Sequence, residues 1–297
     1  MKTPQLFTTI FLVGLMACSN KPTESTETKL TEDTVKIVAD TVKKDAVVHD
    51  APKPPMYDTE VFNYDTAYYV DPNNQQHKFV KYKAVLAMPS RNDNDKLVTD
   101  IRFDIMSFAT ERLMTDPDIA TKGYFATVAT EFKTGFRSAN DFSKNRYFDW
   151  TVARFTKIAY QDSRLYCIAK GLYENKGNTP VYGLTYSNWD KKLKEKIEYN
   201  DLFSEKDAED IRNVLVNTMV KLYGVEDEVS LETKGISPEQ IMPSNKFLLT
   251  KDTIYFVYSP YELGMEAERS IKIPVASKQL QQFMDTTKSI IRYLLEN

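Results

Sequence analysis

Apolar and polar residues along the chain form two kinds of pattern in its central part. Partial alternation over 78–88 predicts a strand that ends at Pro89. Apolar residues then recur at helical spacing over 98–108, after a polar run at 92–95 whose side-chain oxygens can cap a helix. A second helix is predicted where apolar residues recur from Phe125 to Phe136. Strand and helix therefore follow each other closely in this part of the chain.

The remaining pattern predicts hairpins and two more helices. Further strands are predicted at 147–160, 165–173, 181–189, 246–249, 253–258 and 270–275. One helix is expected to begin near Ser204 and end at Gly224, and another to cover 280–295. Strands interrupted by helices predict an α+β fold with antiparallel sheets packed with helices, built as two consecutive α/β modules at 61–178 and 179–297.

The stretch before these modules has a different composition. No aromatic residue and no glycine occurs from Ser19 to Met56, where Thr, Lys, Glu and Asp dominate and a Pro-rich run closes the stretch. Such a segment buries too little apolar surface to offset the entropy cost of ordering. We predict a disordered tether over 18–60.

The first residues have the pattern of a secretory signal. Lys2 precedes an apolar run at 6–16, which is shorter than the roughly 20 residues needed to span a bilayer. Leu15, Ala17 and Cys18 then resemble the lipobox that lipoprotein signal peptidase reads. We predict that 1–17 is removed and that Cys18 carries lipid chains such as palmitate, which would anchor an exported protein at the periplasmic or outer-membrane face of the cell envelope. An ordinary signal peptide with a chance cysteine is the alternative.

Composition narrows the function classes. The net charge of −3 gives no basic footprint for nucleic acid, and removal of the signal deletes only one cation, Lys2. Hydrophobic residues make up 42% of the chain, enough for a packed core. The only cysteine besides Cys18 is Cys167, so lipidation of Cys18 would leave no intrachain disulfide. Cys167 lies in an apolar strand and is predicted to be a buried thiol.

Catalytic and metal chemistry finds little support in the sequence. The two histidines, His49 and His77, stand in polar stretches with no cluster of other ligands nearby, whereas a zinc site needs three or four. Asp93 and Asp95 lack the later ligands and the glycine of a calcium loop, so a turn and helix cap are favoured there. We therefore predict no metal, no cofactor and no catalytic residue.

A loop near the C-terminus is the best candidate for binding. Pro260 is expected to end a strand, and Gly264 permits a left-handed backbone. The candidate binding residues are Tyr258, Tyr261, Glu262, Glu266 and Glu268. An aromatic side chain beside carboxylates could grip a sugar or a basic protein. In the alternative interpretation, the tyrosine packs on the sheet and the acids are merely solvated.

Four segments resemble one known domain. They are 185–190 (TYSNWD), 197–203 (IEYNDLF), 258–264 (YSPYELG) and 271–275 (IKIPV). Together they resemble the DUF3298 domain, and the region before them, about 75–175, looks like its partner domain, DUF4163. The pair resembles the extracellular part of RsiV-type anti-sigma factors and the N-terminal part of PdaC-type peptidoglycan deacetylases. Family members often carry a "GGAH" segment before the first motif, where this chain has 177–180 (GNTP) and no histidine.

The resemblance implies a cell-envelope module. In RsiV-type proteins this region is a sensor that binds lysozyme, and in PdaC-type proteins it accompanies a catalytic domain. We therefore expect a lipid-anchored protein with a non-catalytic binding or sensing module for a protein, such as a lysozyme, or for a cell-wall ligand. An enzyme or accessory subunit acting on peptidoglycan is the alternative, and a purely structural lipoprotein is a third option.

Overall fold

A computed structural model describes residues 56–70, 79–92, 94–114, 116–138, 149–177, 180–264 and 270–296, with the backbone alone for 136–138. All of them fall in the second of the chain's two units, His49–Asn297. The predicted signal peptide, Cys18 and the predicted tether up to residue 55 lie outside the described residues.

Among the described residues, the larger of two sheets has six strands in sequence order. They are β1 (Thr59–Tyr69), β2 (Phe79–Pro89), β3 (Trp150–Gln161), β4 (Leu165–Lys176), β5 (Val181–Asp190) and β6 (Glu195–Ile197). Neighbouring strands are antiparallel except β2 and β3, which are parallel. Two helices, α1 (Lys96–Thr110) and α2 (Pro117–Ser138), join that pair, as a parallel connection requires.

Helices α1 and α2 cover one face of this sheet. Alternation along β2 buries Val80, Tyr82 and Ala84 beneath them, and Phe132 of α2 is buried in the same core. The carboxylate of Asp95 accepts a hydrogen bond from Leu97 N at 3.0 Å and so caps α1. This confirms the predicted helix and its cap. No helix among the described residues is both long and apolar enough to cross a membrane.

A smaller antiparallel sheet packs on the opposite face. Its strands, in the order β7-β8-β9, are β7 (Phe247–Leu249), β8 (Thr253–Tyr258) and β9 (Ile271–Ala276). The helices of this part are α3 (Tyr199–Leu202), α4 (Ala208–Tyr223) and α5 (Ser289–Leu295), with 3-10 helices at Glu205–Asp207, Val229–Lys234, Pro238–Gln240 and Ser277–Phe283. Gly224 ends α4 in the left-handed conformation, with φ 61°. This is the predicted end of that helix.

Strand β4 contributes to both cores of the molecule. Tyr166 and Ile168 face α1 and α2, whereas Leu165, Cys167 and Ala169 face the smaller sheet. Strands β5 and β6 extend the larger sheet past residue 178, where the sequence placed the module boundary. Cys167 is fully buried and free, and burial raises the pKa of its thiol, which confirms the predicted buried cysteine.

The single closing helix predicted at 280–295 is wrong. The chain instead forms the 3-10 helix Ser277–Phe283, an extended residue Met284 bridged to Phe203, and then α5. The Asp285 carboxylate accepts hydrogen bonds from the Thr287 amide at 3.0 Å and its hydroxyl at 2.6 Å. This local pairing competes with helical hydrogen bonds and explains the break.

Strand β1 was not predicted either, and it begins inside the predicted tether 18–60. Tyr57, just before it, donates a hydrogen bond from its hydroxyl to Asp95 Oδ2 at 3.0 Å. Glu60, in the strand itself, pairs with Arg102 of α1. The folded part of the chain therefore includes residues 57–60.

Candidate functional site

The predicted binding loop leaves the end of β8 as two overlapping turns. Glu262 N donates to Ser259 O at 3.1 Å, and Gly264 N donates to Tyr261 O at 3.2 Å. Gly264 has a φ of 79°, as its predicted role required. Ser237 N donates to Leu263 O at 2.9 Å and ties the loop to the 3-10 helix Pro238–Gln240. These three hydrogen bonds hold the described part of the loop, up to Gly264.

Tyr258 does not belong to a binding surface. Its side chain is 2% exposed, and its hydroxyl donates a hydrogen bond to Met242 O at 2.7 Å. A buried phenol with its hydrogen bond satisfied cannot contact a partner. The expectation that Tyr258 binds is therefore corrected, and Tyr258 instead anchors the base of the loop.

Tyr261 stands at the exposed tip of the loop. Its side chain is 59% exposed, and its φ of 66° lies in the left-handed region. For a residue with a Cβ this conformation costs roughly 1–2 kcal/mol relative to the ordinary helical region. A glycine would adopt it without that cost, so backbone geometry does not explain the tyrosine.

Glu262 lies beside Tyr261 but is already paired. Its Oε2 accepts hydrogen bonds from Ser259 N at 2.6 Å and from Lys246 Nζ at 2.9 Å. Burial alone would raise the pKa of Glu262, but these hydrogen bonds outweigh burial and lower it. Because Lys246 neutralises this carboxylate, Glu262 does not by itself give the loop a negative edge. Glu266 and Glu268 lie outside the described residues.

Asn188, in the first of the resembling segments, joins the two sheets. Its Nδ2 donates to Phe247 O at 2.8 Å, and its Oδ1 accepts from Leu249 N at 2.9 Å. The side chain is buried, so it satisfies two backbone groups of β7 that water cannot reach. In the sequence, this asparagine is only part of a segment that resembles DUF3298. In the structure, its role is to link the two sheets.

Asp190, in the same segment, has an equally structural role. Its two carboxylate oxygens accept hydrogen bonds from Arg164 Nε and Nη2, each at 2.6 Å. Oδ1 also accepts from the amides of Lys192 at 2.8 Å and Leu193 at 3.0 Å, which shapes the turn into β6. The Arg164–Asp190 pair thus fixes the hairpin of β5 and β6 against the start of β4.

Comparison with known proteins identifies the fold. No protein-family model and no curated protein matches the chain. A crystal structure of a DUF3298 family member from Bacteroides fragilis matches 82% of this chain and 100% of its own, with a TM-score of 0.72 and 16% identity. The chain has the DUF3298 fold. A DUF3298 family protein from Pseudomonas aeruginosa matches 78% of this chain and 95% of its own, with a TM-score of 0.54 and 13% identity.

Within this DUF3298 fold, one small cavity lies where α1 meets α2. Its volume is about 170 Å³, and it is lined by Thr110, Glu111, Arg112, Tyr124, Thr127, Val128, Glu131 and Lys176. The nearby Arg154 is 4% exposed, pairs with Glu174 and donates to the Tyr124 hydroxyl at 3.2 Å. Sequence reasoning missed this group because its members come from four separate elements.

The cavity offers polar contacts but no evident catalytic chemistry. Glu111 Oε1 lies 3.6 Å from Arg154 Nη2, and Lys176 Nζ lies 3.8 Å from Glu131 Oε2, so two ion pairs lie beside the cavity. Among the described residues, no three His, Cys, Asp or Glu side chains are grouped closely enough to hold a metal ion. His49 and His77 lie outside that part of the chain.

Proposed function

We propose that this chain is a lipid-anchored cell-envelope protein whose folded part is a non-catalytic binding or sensing module. Its ligand is a protein, such as a lysozyme, or a cell-wall component. The DUF3298 fold, together with the resemblance of 75–175 to DUF4163, supports a module like those of the RsiV-type and PdaC-type proteins. The lipobox-like residues before Cys18 support the anchor.

The backbone conformation and the exposure of Tyr261 together carry the binding proposal. Residues kept in a sparsely populated backbone conformation cluster at functional sites. Tyr261 combines such a conformation with high exposure, on a loop fixed by the Lys246–Glu262 pair and by Ser237. A rigid loop that presents a tyrosine loses little entropy when a partner binds, as at many protein interfaces.

The binding test is a titration of a c-type lysozyme against the chain carrying Cys18→Ser. Tyr261→Ala is expected to weaken binding by roughly tenfold or more, as for a central interface residue. Leu222→Ala is the matched control, because Leu222 is 53% exposed but lies on α4. Glu262→Lys should have the smaller effect, since Lys246 already neutralises Glu262.

The outcomes separate the possible ligands. Absence of binding at up to roughly 100 μM, a concentration well above that of specific complexes, would remove lysozyme as the ligand. Binding that ignores Tyr261→Ala would place the contact elsewhere. Hydrolysis or deacetylation of peptidoglycan by the chain would favour the alternative, an enzyme or accessory subunit.

The anchor has its own test. Because only Cys18 fits the lipidation pattern, Cys18→Ser should abolish incorporation of a fatty-acid analogue during growth. Cys167→Ser is the control, since Cys167 is buried and should not be acylated. Label that persists in the Cys18→Ser protein would contradict lipidation at this residue.

A further inference from the structure

Half of one face of the six-stranded sheet is not covered by any other element among the described residues. The smaller sheet packs on β4 and β5 near Cys167 and Tyr186, while α1 and α2 cover the opposite face. The part left uncovered runs over β2 and β3 to the outer ends of β4 and β5. We call it the open sheet face and define it by Lys83, Val85, Phe155, Lys157, Tyr173 and Tyr182.

The strand register places these side chains on one side of the sheet. Val85 pairs with Phe155, which pairs with Gly171. In the adjacent row Lys83 pairs with Ala153, Ala153 with Tyr173, and Tyr173 with Tyr182. Paired residues of neighbouring strands point to the same face, and Val80 and Tyr82 between them point to the buried one. The rows therefore form one continuous surface.

Aromatic rings lie across this surface. A Cβ built on Gly171 would lie 1.9 Å from Phe155 Cζ, so the ring of Phe155 occupies the space that a side chain at 171 would fill. The rings of Tyr173 and Tyr182 are 5.1 Å apart, and Tyr182 is 36% exposed. Such rings offer flat, polarisable faces to a ligand.

Positive charge surrounds the rings. Lys81 and Lys83 are exposed on β2, Lys157 lies on β3, and Lys272 of β9 places its Nζ 5.4 Å from the ring centroid of Tyr186. None of these four lysines forms an ion pair among the described residues. Burial, and then the neighbouring Lys157, lower the pKa of Lys272, as expected where cations face each other without a carboxylate.

The balance of charge on this face opposes that of the whole chain. The four lysines of this face outnumber Asp65, the acidic residue that lies opposite Lys83 on the neighbouring strand. The chain as a whole, by contrast, carries a net charge of −3. A local surplus of cations on an acidic protein favours an anionic ligand. Rings set among the cations favour a ligand that also has flat faces to stack.

We propose that the open sheet face binds an acidic polysaccharide, with sugar rings stacked on Phe155 and Tyr182 and carboxylates paired with Lys83, Lys157 and Lys272. An extended polymer matches a surface that crosses four strands, and a glycan fits the envelope location expected from the sequence. The proposal adds a second site, because it uses none of the residues of the Tyr261 loop, and it rests on the proposed envelope location only for the choice of a glycan.

The test measures binding of polygalacturonate to the full chain in detergent. Lys83→Glu/Lys157→Glu should weaken binding by at least about tenfold, and Phe155→Ala should weaken it without a change of charge. Lys206→Glu/Lys234→Glu, at two exposed lysines of other segments, gives the same change in net charge and should bind like the parent. Thermal melting of each variant checks that it is folded.

Three further polymers identify what is recognised. Fully methyl-esterified polygalacturonate keeps the rings without the charge, polyglutamate keeps the charge without the rings, and oligo-dT carries both in a nucleic acid. The proposal expects all three to bind more weakly than polygalacturonate. The first lacks the charge, the second lacks the rings, and the third has phosphates in place of carboxylates. Equal binding of polyglutamate or oligo-dT, no binding of polygalacturonate, or an equal loss in the control variant would each overturn it.

The loop variant separates the two binding proposals. Tyr261→Ala should leave polygalacturonate binding unchanged, whatever it does to lysozyme binding. Loss of both ligands in Tyr261→Ala would assign polysaccharide binding to the loop and overturn the assignment to the open sheet face. Loss of lysozyme binding alone would leave the open sheet face as a separate site.

Discussion

At the scale of single residues, Asn188 is the clearest link between the two sheets. Replacing it by Ala would leave Phe247 O and Leu249 N buried without their hydrogen bonds. Two unsatisfied buried groups cost about 2–6 kcal/mol, so Asn188→Ala should lower the free energy of unfolding by that amount. Urea denaturation measures it, with the exposed Asn213→Ala as control. A loss no larger than the control's would mean that the smaller sheet is held by packing alone.

Asp162 gives the molecule a predicted response to acid. Burial would raise the pKa of this carboxyl, but hydrogen bonds from Leu165 N and Arg164 N, each 2.7 Å, and from Tyr160 and Tyr293 lower it. A lowered pKa means that the unfolded state takes up the proton first, near pH 3.9, as pH falls. The stabilisation is therefore complete above that pH and is lost as pH falls through the folded-state pKa.

The matching experiment compares the parent with Asp162→Asn across pH. The difference in unfolding free energy should be constant above about pH 5 and should shrink below about pH 4. Asp210→Asn, at an exposed position of α4, is the control. A difference that stays constant down to pH 3 would show that the carboxylate charge of Asp162 does not contribute.

The roles of some residues follow from their neighbours in the sequence and were predicted correctly. The roles of others depend on contacts with residues far away in the chain. The Asp95 cap and the buried Cys167 depend on neighbours within a few positions. The burial of Tyr258 depends on Met242, sixteen positions earlier, and the pairing of Glu262 depends on Lys246. No periodicity reports such contacts, so the sequence could not separate the exposed Tyr261 from the buried Tyr258.

At the scale of elements, β3 and β4 are fitted to each other through Gly171. Ala at this position would force the ring of Phe155 away from β4, because its Cβ would overlap the ring. Gly171→Ala should therefore destabilise the chain by about 1–3 kcal/mol, as overpacking does. In the Phe155→Ala background the same change should cost little. Additive losses in the double variant, measured by denaturation, would show that the ring is not the obstacle.

Helices and strands with clear hydrophobic periodicity or a clear capping residue were predicted correctly. Elements whose formation depends on tertiary contacts were not. Helices α1 and α4 and the hairpin of β3 and β4 have clear patterns, and Gly224 marks a helix end. Strand β1 is largely exposed along its first half, so its apolar alternation is weak. The parallel pairing of β2 and β3 follows from two helices folding back over the sheet, which no local pattern shows.

At the scale of the whole molecule, a single six-stranded sheet separates two cores. The predicted division at residue 178 treats each half as a module, yet β5 and β6 complete the sheet begun by β1 to β4. The sequence lacks any sign of this, because strands on either side of a loop have the same alternation whether or not they share a sheet. Half of one face of that sheet has no covering element in the part of the chain that the structure describes, and polysaccharide binding is proposed there.

Truncation of the chain tests at which residue its folded part begins. Tyr57 bonds Asp95 and its ring lies 5.7 Å from that of Tyr166, while Glu60 pairs with Arg102. A fragment that starts at Met56 keeps all these contacts and should melt within about 2 °C of one that starts at Ser19. A fragment that starts at Val61 loses them, and a loss of roughly 2 kcal/mol should lower its melting temperature by about 4–8 °C. A large drop already in the Met56 fragment would show that residues 19–55 pack on the fold and are not a tether.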